Sequence, residues 1–221
     1  MVCRFDMKDY QTQEKFWRDA EEEICQILKR TAALEFGTFK LSSGRITPYY
    51  IDLRVIPSFP QAFRKVSEIY VEAIKRDIGQ ENFDRVSGIP VAGMSFAVIA
   101  AFHLNKPFIY VRQSRRLRGR ERRVEGVLMP GDRVLLIDDL VTTGISLGRA
   151  ARAIRAEGGV VTDAFVLLDR EEGGRKRLSR AGITLHSVLK ITDVAKRLYE
   201  MGTIDEDQLE IILKQVREKE S

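Results

Sequence analysis

Cysteine and histidine are too scarce to organise this chain. Cys3 and Cys25 have neither the density of a disulfide framework nor the spacing of a metal site. His103 and His186 are too few for a histidine-based metal centre. Long hydrophobic runs are missing as well: no stretch approaches the roughly 18 apolar residues of a membrane span, and Arg4, Asp6, Lys8 and Asp9 stand where a signal peptide would need an apolar core. A soluble cytoplasmic protein with no membrane contact is expected. The phosphate-loop motif G-x-x-x-x-G-K-[ST] is absent, which argues against a P-loop nucleotidase. No internal repeat, low-complexity segment or Pro/Ser-rich linker occurs, so 221 residues with 44% hydrophobic and 31% charged side chains read as one α/β domain, 1–221, with a small appendage.

What is present centres on Val134-Leu135-Leu136-Ile137-Asp138-Asp139-Leu140-Val141-Thr142-Thr143-Gly144-Ile145-Ser146-Leu147. Four consecutive branched apolar residues predict a strand buried on both faces, and the acid pair is expected where that strand leaves the core. A hydroxyl and glycine loop follows, then a helix over 149–157. Thr142, Thr143 and Ser146 supply donors, Gly144 permits close backbone approach, and a helix start offers unpaired N–H groups, a setting suited to a phosphate. Asp138 and Asp139 can accept hydrogen bonds from a vicinal diol. The combination points to a ribose 5-phosphate. The alternative is an ordinary strand-end acid pair with a capping hydroxyl.

The net charge of +5 is concentrated in Arg115, Arg116, Arg118, Arg120, Arg122 and Arg123, opposed in that window only by Glu121. Such a run suits a solvated loop, a nucleic-acid patch or an anionic substrate. Elsewhere, an i, i+3/i+4 apolar pattern predicts a long helix over 11–35. Residues 36–54 read as a hairpin turning at Ser42-Ser43-Gly44, and Ser58 with Pro60 marks a helix start. A strand over 83–87 leads through Gly88-Ile89-Pro90-Val91-Ala92-Gly93-Met94 into a helix over 95–104, and Pro107 to Arg112 forms the next strand. Val160 to Leu168 is another, followed by a glycine turn at Gly173-Gly174. Thr192 is expected to cap a helix over 194–201, and Thr203 with Glu206 to form a capping box for the last one.

The string VLLIDDLVTTGISL resembles the phosphoribosyl pyrophosphate signature of type I phosphoribosyltransferases. Phe39-Lys40-Leu41-Ser42-Ser43-Gly44-Arg45-Ile46-Thr47-Pro48-Tyr49-Tyr50-Ile51-Asp52 resembles the hood of the orotate branch, F-x-L-x-S-G-x-x-S-P-Y-Y-I-D. Leu168-Asp169-Arg170-Glu171-Glu172-Gly173-Gly174, with 181–189 beyond it, is similar to that branch alone. The resemblance spans about 34–195. It implies a type I phosphoribosyltransferase fold: a mainly parallel sheet flanked by helices (core about 56–190), with a hood from about 1–55 and part of the C-terminal region. It also implies transfer of phosphoribosyl from phosphoribosyl pyrophosphate to orotate, with Mg2+ held mainly by the donor rather than directly by the protein.

By the same resemblance, Asp138 and Asp139 hold the ribose hydroxyls, while Leu140, Val141, Thr142, Thr143, Gly144, Ile145 and Ser146 cradle the 5-phosphate. The backbone at Val91 and Ala92 binds pyrophosphate. Tyr50, Ile51, Thr142 and Arg170 contact orotate, as would Ser42, where the family often has a lysine and this chain places Lys40 two residues earlier. Arg112, Gln113, Arg116 and Arg118 match a catalytic loop that in the family closes over a neighbouring subunit, which implies a homodimer. Gln113, Arg116 and Arg118 replace the family's common Lys, Lys and His. Guanidinium, with a pKa above about 12, cannot act as a general acid near neutrality, so the loop is expected to work by electrostatic stabilisation. Two alternatives remain open: an enzyme for another base such as a purine, and a non-enzymatic regulator that binds nucleotide and nucleic acid.

Overall fold

The structure, a computed structural model, describes residues 7–40, 46–112 and 123–220. Its first helix, α1 (Met7–Arg30), stops short of the expected end. Ala32 turns left-handed at φ 51° and the amides of Thr31 and Ala33 fold back on Ile27 and Leu28, so Leu34 opens a strand instead. β1 (Leu34–Lys40) and β2 (Ile46–Ile51) form an antiparallel pair, with Leu34 opposite Ile51 and Lys40 opposite Ile46. The Ser-Ser-Gly turn expected to join them lies outside the described residues.

After a short 3-10 turn, α2 (Pro60–Asp77) begins with proline as its first residue and Phe59 as its cap. Ser58 therefore does not cap it. The chain continues through β3 (Arg85–Gly88), α3 (Gly93–His103), β4 (Phe108–Val111), β5 (Val124–Glu125), β6 (Val134–Val141) and α4 (Ile145–Ala156). It ends with β7 (Asp163–Asp169), α5 (Gly174–Arg180), β8 (Thr184–Lys190), α6 (Ile191–Glu200) and α7 (Glu206–Glu220).

Three local expectations are corrected. Where a simple turn was read after β7, the chain forms α5. Thr192 caps nothing; its amide and hydroxyl both donate to Glu171, and α6 starts one residue before it. The capping box of α7 belongs to Asp205 and Gln208, which exchange amide-to-side-chain bonds of 3.0 and 2.8 Å.

The six-stranded sheet runs β5-β4-β3-β6-β7-β8, parallel except for β5 at its edge. β6 alternates its side chains between two cores. Leu135 and Ile137 join the core beneath α1, α2, α3, α6 and α7, while Val134 and Leu136 join the one beneath α4. Tyr49 and Ile51 of the hairpin belong to the first core, which fixes the hairpin over the carboxyl end of the sheet. The strand after β3 pairs on one side of it and β6 pairs on the other. This reversal opens a crevice at the carboxyl ends of β3 and β6, where α/β sheets bind ligands.

Candidate active site

The crevice holds a cavity of about 610 Å³, walled by Ile89, Pro90, Val91 and Ala92 after β3, by Asp138 to Leu147, and by Arg149. Strand β6 runs past its acid pair to Val141, so both carboxylates are embedded in the sheet instead of marking its end. Asp138 is 9% exposed and Asp139 7%. Tyr70, wholly buried, directs its hydroxyl at the carbonyls of Asp138 and Phe165, both 2.9 Å away, and pins the strand at this point. On the other side Gly93 packs so closely that a Cβ there would sit 2.6 Å from Asp138 Oδ1. Asp138 Oδ1 also accepts the amide of Asp139 at 3.0 Å.

Burial raises the pKa of both acids. For Asp138 the neighbouring Asp139 charge adds to the rise. For Asp139 the rise is offset in part by bonds from Asp138 and the Leu140 amide and by the charge of Arg54. Negative charge is therefore costly here, and a ligand offering hydroxyl protons or positive charge would relieve it.

The loop beyond supplies the opposite polarity. Gly144 adopts φ 71° at the start of α4, and no side chain caps that helix, so its first amides are open to the cavity. Among the described residues the hydroxyls of Thr142, Thr143 and Ser146 make no hydrogen bond. Acceptors at one end and free donors one loop away fit a sugar phosphate. Gly174 supports this loop from behind, where a Cβ would lie 2.7 Å from Val141 Cγ2 and 2.8 Å from the Thr142 carbonyl.

The remaining expected residues lie around this wall instead of in it. Arg112 pairs with Glu125 at 2.9 Å. Tyr50 stacks on Phe39 and takes a 2.7 Å bond from Arg54, and Ile51 is buried. Arg170 is 3% exposed, its guanidinium 4.9 Å from the Tyr49 ring centre and 2.9 Å from Glu172. Its amide bonds the Val141 carbonyl at 3.0 Å, which ties its loop to the cavity wall. Ser42, Gln113, Arg116 and Arg118 lie outside the described residues.

The family model for a phosphoribosyl transferase domain matches residues 56–195. The orotate phosphoribosyltransferase of Cenarchaeum symbiosum is 41% identical over 180 residues, 81% of this chain and 90% of that protein. The chain belongs to the orotate phosphoribosyltransferase family. Among solved structures, the orotate phosphoribosyltransferase of Aeropyrum pernix has a TM-score of 0.72 at 32% identity, over 82% of this chain and 99% of that one. The UMP synthase of Leishmania donovani reaches a TM-score of 0.80 at 30% identity over 90% of this chain, but the match spans only 42% of that larger protein. The fold is accordingly the type I phosphoribosyltransferase fold, and the hairpin is its hood.

Three residues carry no signal for the site in the sequence: Arg149 lines the cavity, Arg54 acts on the charge of Asp139, and Gln215 joins the hood to the Arg170 loop. Gly93, a glycine of the strand-to-helix turn in the sequence, packs against Asp138. As for a metal, no three His, Cys, Asp or Glu side chains cluster to hold one among the described residues. The carboxylate pair at Asp138 and Asp139 suits a hard divalent cation that keeps most of its ligands elsewhere.

Proposed function

We propose that the protein transfers the phosphoribosyl group of phosphoribosyl pyrophosphate to N1 of orotate. The products are orotidine 5-phosphate and pyrophosphate, in pyrimidine biosynthesis. The observation that carries this reading is the buried acid pair placed one loop away from the open amides of α4. Asp138 and Asp139 accept the two ribose hydroxyls, while Thr142, Thr143, Gly144 and Ser146 hold the 5-phosphate. The ribosyl carbon is thereby held still as its bond to pyrophosphate lengthens. The backbone around Val91 and Ala92 faces the departing pyrophosphate. Arg116 and Arg118 cannot give it a proton, so they lower the barrier by meeting its growing charge with guanidinium donors. Magnesium, held mainly by donor oxygens with Asp138 and Asp139 as the nearby carboxylates, would supply further neutralisation of the leaving group.

Arg170, with the Tyr50 and Ile51 backbone, selects the base: orotate presents a carboxylate and carbonyl acceptors in one plane, which a guanidinium matches. The working unit is a homodimer, in keeping with the exposed Val98 and Phe102 on α3, and it acts in the cytoplasm. No helix among the described residues is long and apolar enough to cross a membrane. The test is to mix protein, magnesium and donor with orotate or a purine and follow the base by ultraviolet absorbance. Orotate is expected to be consumed. Turnover of a purine alone, or of no base, overturns the proposal. Arg116→Ala is expected to slow turnover far more than it weakens orotate binding, and an unchanged rate removes the loop from catalysis.

A further inference from the structure

Helix α7 lies outside the matched domain, yet one of its side chains reaches two parts of the base-selecting region. Gln215 Nε2 donates to Glu172 Oε1 at 3.2 Å, and Gln215 Oε1 accepts from Thr47 Oγ1 at 3.2 Å. A carboxylate only accepts, so this amide orientation is the one that satisfies both neighbours. The single Thr47 hydroxyl proton is shared between Gln215 Oε1 and the Tyr49 carbonyl, 3.0 Å away. Glu172 in turn stands 2.9 Å from Arg170 Nη2, with both side chains almost wholly buried. The guanidinium lies over the Tyr49 ring. The connection closes on itself, from Thr47 and Tyr49 of β2 through Gln215 and Glu172 to Arg170 and back to Tyr49.

Arg170 is held by few bonds of its own. Its Nε and Nη2 are buried with no hydrogen-bond partner among the described residues, so the 2.9 Å approach to Glu172 is an ion pair without hydrogen-bond alignment. A buried guanidinium keeps one orientation only if its counter-ion is fixed, and Gln215 is a side chain from another helix that fixes it. Thr47 and Gln215 also join the hood strand to the same carboxylate, so the hood and the guanidinium take up position together.

We propose that Gln215 is a positioning residue for base selection: it holds Glu172, and through it Arg170, in register with the hood. This rests on the reading of Arg170 as the residue that meets orotate. Gln215→Ala is expected to raise the KM for orotate about tenfold, the scale of a lost hydrogen bond to a charged group, with the KM for the donor unchanged. In a double-mutant cycle with Glu172→Gln, the two effects on orotate KM should not add, because both act through one carboxylate. A merely structural role would move both KM values together and give an additive cycle, and either result overturns the proposal. Should Gln215→Ala fail to fold, Gln215→Glu keeps the bulk and sets a second acceptor against Glu172. It too must raise the orotate KM selectively, and an unchanged value overturns the proposal. Arg170→Ala separates the two ideas. If that variant leaves the orotate KM unchanged, the base-selecting role of Arg170 fails; if it raises the KM while the Gln215 variants do not, only the role of Gln215 fails.

Discussion

Substituting Gly93 with alanine sets two known effects against each other. Gly93 is the first residue of α3, and in a helix with open space around it alanine is better than glycine by about 1 kcal/mol or less. Here the space is not open. The added Cβ would stand 2.6 Å from Asp138 Oδ1, 2.7 Å from Asp138 Cα and 2.9 Å from the Ile137 carbonyl oxygen. Two of those atoms are backbone of the central strand, which Tyr70 pins from the other side, so the helix start or the strand must shift by several tenths of an ångström. Overpacking of this kind costs about 1–3 kcal/mol. The steric effect wins, and the melting temperature should fall by roughly 2–12 °C, taking about 2–4 °C per kcal/mol at this chain length. Activity should suffer more, because the displaced group is the carboxylate proposed to hold the ribose and a misplacement near 1 Å can cost about a hundredfold. We expect kcat/KM for the donor to drop at least roughly tenfold. The control is Gly148, inside α4, where the nearest atom to an added Cβ is the flexible end of Arg152 at 3.9 Å. Gly148→Ala should stabilise by about 0.5–1 kcal/mol. Scanning calorimetry and initial-rate kinetics on both variants decide the matter. A Gly93→Ala protein as stable and active as the parent would refute the close-packing argument.

Other perturbations follow from the same region. Asp138 has its pKa raised by burial and by Asp139, so its contribution to stability is present below its unfolded value, near 3.8, and is lost as pH climbs through the folded value. Asp138→Asn should therefore raise the melting temperature of the ligand-free protein at neutral pH, and the gain should shrink in acid; a gain that grows in acid reverses the sign. The same variant should bind the donor poorly by titration calorimetry. Tyr70→Phe removes a fully buried hydroxyl aimed at two strand carbonyls and should cost about 1–2 kcal/mol in urea unfolding, with an unchanged midpoint as the opposing result.

The parts legible in the sequence are those built from neighbours in the chain. The run from Val134 to Ile137 shows its burial because each residue is apolar whichever face it takes, and the loop from Thr142 to Ser146 shows its place on the cavity wall because its donors are near neighbours in the chain. The misread parts depend on distant partners. Thr192 has the composition of a cap, but Glu171 supplies an acceptor that local pattern cannot reveal. Helix α5 carries only Leu178 as an apolar anchor, too little for any periodicity to show. Asp138 and Asp139 are expected at the strand's exit because charge usually leaves a core, but pairing of Leu140 and Val141 with Leu168 and Asp169 of β7, remote in sequence, carries the strand past them. Gln215 meets partners 168 and 43 residues away, and no spacing rule reaches that far.

Those distant contacts also bear on how the proposed site would treat two substrates. The proposed donor cradle is closely packed against two glycines, Gly93 at Asp138 and Gly174 at Val141 and Thr142. The loop proposed to select the base is joined to that cradle by the backbone bond from Arg170 to Val141, and its side chains Glu171 and Glu172 are held by Thr192 of α6 and Gln215 of α7. A side-chain linkage yields more readily than a close-packed backbone. Substitutions in the cradle should therefore disturb donor binding and stability together, whereas those in the Thr47, Gln215 and Glu172 linkage should alter the choice and affinity of the base and leave the donor's site intact.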